Sequence, residues 1–146
     1  MTARMLEGQV ALVTGAGRGL GRAFAERLAA HGCNVAVHGM REHGPSEYGG
    51  TQTLTEVARA VADQHRVRTV KVLGDLTRMH DIEHTVRTAE HELGPIDILV
   101  HNAGGDIAAA GGKPDPNDVV NIKEEDVRAV IDRNLLCTIF VCQQVA

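Results

Sequence analysis

Nowhere in its 146 residues does the sequence hold an apolar run approaching the ~20 residues of a membrane-spanning helix, and Met1 to Gly8 carries none of signal-peptide length. A soluble cytoplasmic protein, with no membrane partner, is the expectation. Cysteine is scarce: Cys33, Cys137 and Cys142 are odd in number and lack the CxxC spacing of a zinc site. Each reads as a small buried hydrophobe in a reducing compartment. Basic residues are scattered and the formal net charge is -4, which leaves no electrostatic footprint for nucleic acid or an anionic membrane surface. Repeats and low-complexity tracts are absent too. With 43% hydrophobic residues, the chain has ordinary globular composition and reads as one domain over residues 1–146.

Short apolar runs alternate with longer amphipathic segments, the pattern of a parallel α/β sheet. Gln9 to Thr14 reads as a first strand, buried on both faces and stopping at Gly15. Residues 19–30 read as a helix whose apolar stripe is Leu20, Phe24 and Leu28, with Ala23 and Ala30 beside it. Asn34 to His38 is a second strand, followed by a glycine-rich loop from Gly39 to Gly50. Leu54, Val57, Val61 and Ala62 mark a second helix, and Val67 to Leu73 a third strand. Ile82, Val86, Ala89 and Leu93 define a third helix closed by Gly94-Pro95, and Ile96 to Val100 a fourth strand. Gly104 to Asp118 is too broken by glycine and proline for either period and reads as a long loop. Asn121 followed by Glu124 is a capping-box pattern that opens a fourth helix running through Val127, Val130, Ile131, Leu135 and Ile139.

The most informative segment is Thr14-Gly15-Ala16-Gly17-Arg18-Gly19-Leu20-Gly21, set between a strand and a helix. Glycines at such a turn let the backbone approach a pyrophosphate, while the helix N-terminus supplies N–H groups and the positive end of its dipole.

The spacing is TGxxxGxG, with Gly15, Gly19 and Gly21 as its glycines, and with it the sequence resembles the short-chain dehydrogenase/reductase family. Asp75 after the third strand, His101-Asn102-Ala103-Gly104 after the fourth and Asn134 in the fourth helix follow in that family's order. The resemblance implies a Rossmann-type doubly wound parallel sheet, strand order 3-2-1-4, truncated after the fourth strand and its following helix. It further implies that Asp75 and the Leu76 backbone hold an adenine ring, that Asn102, Ala103 and Gly104 line the nicotinamide ribose, and that Asn134 is a catalytic residue that bends its helix. An amide before the apolar Leu135-Leu136 should also be satisfying something buried. His101 stands where the family usually has Asn, a change expected to alter a hydrogen bond without abolishing the turn. The interval from Asn102 to Asn134 is longer than the family's, which places extra loop, Asp106 to Val120, where substrate would approach.

Family members specific for NAD put a carboxylate at the end of the second strand, whereas a 2'-phosphate is better met by arginine. Val37-His38-Gly39-Met40-Arg41 holds no acid. Arg41, with Arg18 in the glycine loop, forms a candidate two-arginine clamp, although Glu42 is at hand to pair with either. NADP(H) is therefore expected in preference to NAD(H).

The family's serine and YxxxK are missing. Tyrosine at its free pKa of about 10 needs a neighbouring cation to act near neutrality. The sole tyrosine, Tyr48, is followed four places on by Gln52, and the sole serine is Ser46. All three sit in or beside the loop after the second strand, remote from the nicotinamide end. The expectation is a cofactor-binding half of an oxidoreductase acting on a small carbonyl or alcohol, inactive as 146 residues and a homo-oligomer at full length. The alternative is a catalytically silent nucleotide-binding fragment or interaction module. One rival motif, His80-Asp81-Ile82-Glu83-His84, matches the HxxEH of inverted zinc proteases. Because His80, His84 and His91 lie off the apolar stripe of their helix, they are expected to face solvent, with no metal site.

Overall fold

The computed structural model describes residues 4–46, 49 and 52–146. Four parallel strands, β1 (Val10–Thr14), β2 (Asn34–Gly39), β3 (Thr69–Leu73) and β4 (Ile98–His101), form one sheet in the order β3-β2-β1-β4. Helices α1 (Gly19–Ala30), α2 (Leu54–His65) and α3 (Met79–Leu93) connect them, and after a long loop come α4 (Glu124–Ile131), a π-helical turn (Asp132–Leu136) and α5 (Cys137–Val145). This is a Rossmann-like α/β architecture. Among the described residues no helix is long and apolar enough to cross a membrane.

Side chains alternate across a strand, so consecutive residues of a central strand feed opposite layers. Val13, Val35 and Val37 pack under α1 and α2 with Ala25, Ala29, Val57 and Val61. Leu12, Ala36 and Val72 face the other way, onto Val86, Ala89 and Leu93 of α3. Burial on both faces is why β1 and β2 read as unbroken apolar runs. Among the described residues β4 has a neighbour on one side only, and its own residues are half-buried.

Several local expectations need correction. In α1 the buried face is Gly21, Ala25 and Ala29, while Leu20 and Phe24 are 70% and 42% exposed. Small residues let the helix lie close against β1; Leu20 borders the cleft, Phe24 is turned toward solvent, and of the bulky stripe Leu28 packs, half-buried, against the core. Asn121 does not cap α4. Asp118 captures it instead, its carboxylate accepting from the Asn121 amide and from the Val120 and Asn121 backbone N–H groups, and Lys123 is the N-cap with no side-chain bond. Glu124, Glu125 and Asp126 in the first turn complement the helix dipole instead.

A capping box does form at α2, between Thr53 and Glu56. β3 begins at Thr69 rather than Val67, because Arg66, left-handed at φ 55°, ends α2 and Val67 still bonds Ala62. β4 begins at Ile98, since Asp97 is spent on Val10, donating its N–H to the Val10 carbonyl and accepting the Val10 N–H on its carboxylate. Cys33 and Cys137 are buried as expected, but Cys142 is exposed.

Candidate nucleotide site

A parallel sheet whose connections diverge from β1 leaves a crevice at the carboxyl ends of its strands. Here that crevice is a cleft of about 960 Å³. One end is walled by Arg18, Gly19 and Leu20 with Met40, Arg41 and Pro45; Asp75 and Leu76 form its side; Asn102, Ala103 and Gly104 lie across from Gly15, and Ile107, Lys113 and Arg133 close the far end. Every residue that the sequence assigns to cofactor binding lines this cleft except Gly21, and Asn134, assigned to catalysis, does not line it.

Those two act from behind it. A Cβ on Gly21 would sit 2.1 Å from the Gly15 carbonyl oxygen and 2.6 Å from Asn102 Nδ2, so the bare backbone is what lets α1 start directly beneath the loop. Asn134, in the π-helical turn, binds the loop after β4 from both sides. Its Oδ1 accepts the Gly105 N–H at 2.9 Å and its Nδ2 donates to the Gly105 carbonyl at 2.9 Å and to the Val130 carbonyl at 2.8 Å. The side chain is exposed, so what it satisfies is loop backbone at the surface rather than a buried group. A Cβ on Gly104 would lie 2.5 Å from Asn134 Oδ1, which ties the glycine to that asparagine. Further along, the buried Asp126 accepts the Ala109 N–H at 2.9 Å, a second anchor for the same loop. Asn134→Ala is expected to cost about 1–2 kcal/mol, in line with the loss of such bonds at an exposed position. Urea denaturation would read that cost, and amide exchange at Gly105 should accelerate; unchanged protection at Gly105 would refute the clamp.

Thr14 is the hub. Fully buried, its Oγ1 accepts the N–H groups of Asn102 and Ala103, each at 3.0 Å, and its own hydrogen is left for His101 Nδ1 at 3.1 Å. Burial holds His101 below the usual histidine range, consistent with a neutral ring that accepts at Nδ1. Its Nε2 then donates toward Cys137 Sγ at 3.4 Å, and the Cys137 thiol donates to the Arg133 carbonyl. The histidine thus keeps the turn and links it to the last helices. Asn102 Nδ2 completes the joint by donating to the Gly15 carbonyl at 3.2 Å.

The Asp75 carboxylate accepts from the Thr77 N–H and hydroxyl at 3.1 and 2.7 Å, so it builds the turn after β3 as well as bordering the cleft. The Glu42 carboxylate accepts from Lys71 at 2.7 Å and from the Thr55 N–H at 2.9 Å. Those bonds lower its pKa to about 2. Ser46 donates to the His43 carbonyl and Gln52 accepts from Arg22; Tyr48 lies outside the described residues. His80, His84 and His91 are exposed on α3.

Two residues carry more of the site than their sequence context suggested. Cys137 is one. The other is His38, buried at the end of β2, whose only signal was a polar residue closing the run Val35-Ala36-Val37.

A family model described as short chain dehydrogenase matches residues 9–146. The chain is 37% identical over 144 residues to a cyclohexanol dehydrogenase of Rhodococcus sp. (strain TK6), covering 97% of this chain and 52% of that one. It is 34% identical over 129 residues to the 3-oxoacyl-acyl-carrier-protein reductase of Escherichia coli (strain K12), covering 88% and 44%. Among solved structures, a hydroxysteroid dehydrogenase from Escherichia coli superposes with a TM-score of 0.77 at 26% identity, over 97% of this chain and 52% of that one. The chain spans about half the length of the relatives it matches. The glycine loop joined through Thr14 and Asn102 to the turn after β4, on a sheet ordered 3-2-1-4, is what such a match requires of the residues, and the chain belongs to the short-chain dehydrogenase family.

Proposed function

We propose that residues 1–146 form the cofactor-binding half of an oxidoreductase that moves hydride between NADP(H) and a small carbonyl or alcohol. The observation that carries this reading is the cleft itself, which has a helix N-terminus beneath one wall, two arginines at its β2 end and no acid among the described residues that line that end. Gly39, where a discriminating carboxylate could stand, is backed by Leu54, whose Cδ2 lies 2.9 Å from the position of an added Cβ. The volume suits a ligand of dinucleotide size. Bound there, the nicotinamide would supply or accept the hydride. Arg18 and Arg41 would hold the 2'-phosphate; Gly15, Gly19 and Leu20 would present backbone to the pyrophosphate; Asp75 and Leu76 would border the adenine. Asn102, Ala103 and Gly104 would shape the ribose pocket, and Asn134, by fixing Gly105, would keep that pocket in place.

Relatives named for cyclohexanol, hydroxysteroids and 3-oxoacyl groups favour a secondary alcohol or its ketone as substrate. Turnover by these residues alone is not expected, since Ser46 belongs to the loop after β2 and the sequence, with Gln52 four places after Tyr48, holds no YxxxK.

The test is a comparison of dissociation constants. NADPH should bind at least about tenfold tighter than NADH, the scale of one or two hydrogen bonds to a charged group. Replacing Arg18 and Arg41 together by alanine should bring the two constants to within about threefold, because only the phosphate-bearing cofactor loses contacts. Tighter binding of NADH by the unaltered chain would overturn the assignment.

A further inference from the structure

His38 stands at the carboxyl end of β2, 2% exposed, in a strand whose preceding residues Val35, Ala36 and Val37 are fully buried aliphatics. An aliphatic side chain would fill that place without burying a polar ring. The ring, however, uses both its nitrogens. The Gly15 N–H donates to Nδ1 at 3.3 Å, and Nε2 lies 3.0 Å from the Gly74 carbonyl oxygen. A carbonyl can only accept, so the hydrogen is on Nε2 and Nδ1 presents its lone pair to Gly15. One tautomer of the neutral ring satisfies both partners, and an imidazolium would set N–H against N–H at Gly15. The His38 backbone carbonyl meanwhile accepts the Ala16 N–H at 2.8 Å. Two successive amides of the glycine loop therefore end on this single residue, and through Gly74 the same residue is tied to β3.

We infer that His38 is a positioning residue of the nucleotide site, fixing the first turn of the glycine loop by accepting the Gly15 amide while it anchors that turn to Gly74. The inference rests on reading the cleft as a dinucleotide site. Its mechanism is indirect: Gly15 is where the chain leaves β1 and where Asn102 also binds, so a Gly15 amide without its acceptor would be a half-buried orphan at the hinge between loop and sheet.

The surroundings keep the ring neutral. Burial dominates and, with His101 across on β4 adding to it, carries the His38 pKa down to about 4, against the opposing pull of the Gly74 bond and of Asp75 after β3 and Asp81 on α3. Because the native pKa lies below that of an unfolded histidine near 6.5, the unfolded chain takes up the proton first as pH falls. This contribution to stability is therefore complete above about pH 6.5 and is lost progressively toward pH 4.

Two variants separate positioning from space-filling. His38→Asn keeps an acceptor near the place of Nδ1 and does not titrate; His38→Leu keeps the volume and removes the acceptor. NADPH titrations of the chain at pH 7.5 should show His38→Leu weakened at least about tenfold and His38→Asn within about threefold of the unaltered protein, the range expected for one hydrogen bond lost with its donor left unpaired. Urea unfolding between pH 7 and pH 4.5 should show a decline in stability for the unaltered chain that is shallower in His38→Asn. Equal affinity in His38→Leu, or a His38→Asn protein as weak as His38→Leu, would overturn the proposal. If His38→Leu fails to fold, His38→Asn decides it, since near-normal NADPH binding with a flattened acid decline supports positioning and tenfold weaker binding refutes it. If the unaltered chain binds no NADPH, the reading of the cleft fails. The unfolding comparison then stands alone, an acid decline equal in His38→Asn being the result against the His38 pin.

Discussion

Replacing Gly21 by alanine, a change that ordinarily strengthens a helix, is expected to destabilise this protein by about 3 kcal/mol or more and to abolish NADPH binding. Alanine in a helix interior gains up to about 1 kcal/mol over glycine, so propensity alone points the other way. The steric term is larger. The new Cβ would lie 2.1 Å from the Gly15 carbonyl oxygen, 2.8 Å from the Gly15 carbonyl carbon and 2.6 Å from Asn102 Nδ2, and two of these three atoms are backbone that no rotamer change can move. Either α1 rises off β1, which opens the seam of Ala25 and Ala29, or the Gly15 turn shifts and releases Asn102. Overpacking that forces backbone displacement costs 1–3 kcal/mol or more, and losing the Asn102 bond adds about 1 kcal/mol. Urea denaturation and NADPH titration read the two effects. A Gly21→Ala protein of unaltered stability would mean that α1 does not sit as closely as described.

The second large effect is at Thr14. Thr14→Val preserves the shape of a fully buried side chain while leaving the Asn102 and Ala103 N–H groups without the oxygen that receives both. Orphaning a buried donor costs about 1–3 kcal/mol, so a loss of roughly 2–5 kcal/mol is expected, whereas Thr14→Ser should retain most of the stability because it keeps the oxygen. His101 would also lose the proton directed at Nδ1, and the chain of bonds through Cys137 to Arg133 would be cut at its sheet end. Thermal unfolding of the two variants side by side separates the oxygen from the methyl group. Equal losses in serine and valine would assign the effect to packing instead.

Much of the fold was legible because it is written locally. The limits of α1, residues 19–30, follow from a glycine loop before and His31-Gly32 after, and strand order 3-2-1-4 followed from the resemblance carried by TGxxxGxG, Asp75 and Asn102-Ala103-Gly104. A period finds apolar stripes but does not tell that contact with β1 falls to the small one, Gly21-Ala25-Ala29, while of Leu20, Phe24 and Leu28 the first two are exposed and Leu28 packs half-buried against the core. Asn121 and Glu124 had the spacing of a cap, yet Asp118 competes for the same amide from three residues away, and nothing in the spacing ranks the two.

The joints of the site were the least legible. Thr14 reaches Asn102 across 88 positions and His38 reaches Gly74 across 36, and no local pattern records such pairs. His101 looked like a departure from the family because its value lies in two partners, Thr14 and Cys137, that only the folded chain brings to it.

The central claim is that this chain builds a dinucleotide site from the carboxyl ends of β1, β2, β3 and β4. Its most direct test is a titration of the isotopically labelled chain with NADPH, followed by the chemical shifts of its backbone amides. Saturation at one equivalent is predicted, with the largest changes at Gly15 to Gly21, Gly39 to Arg41, Asp75 to Leu76 and Asn102 to Gly104. No saturable change, or changes confined to residues outside those four segments, would contradict it.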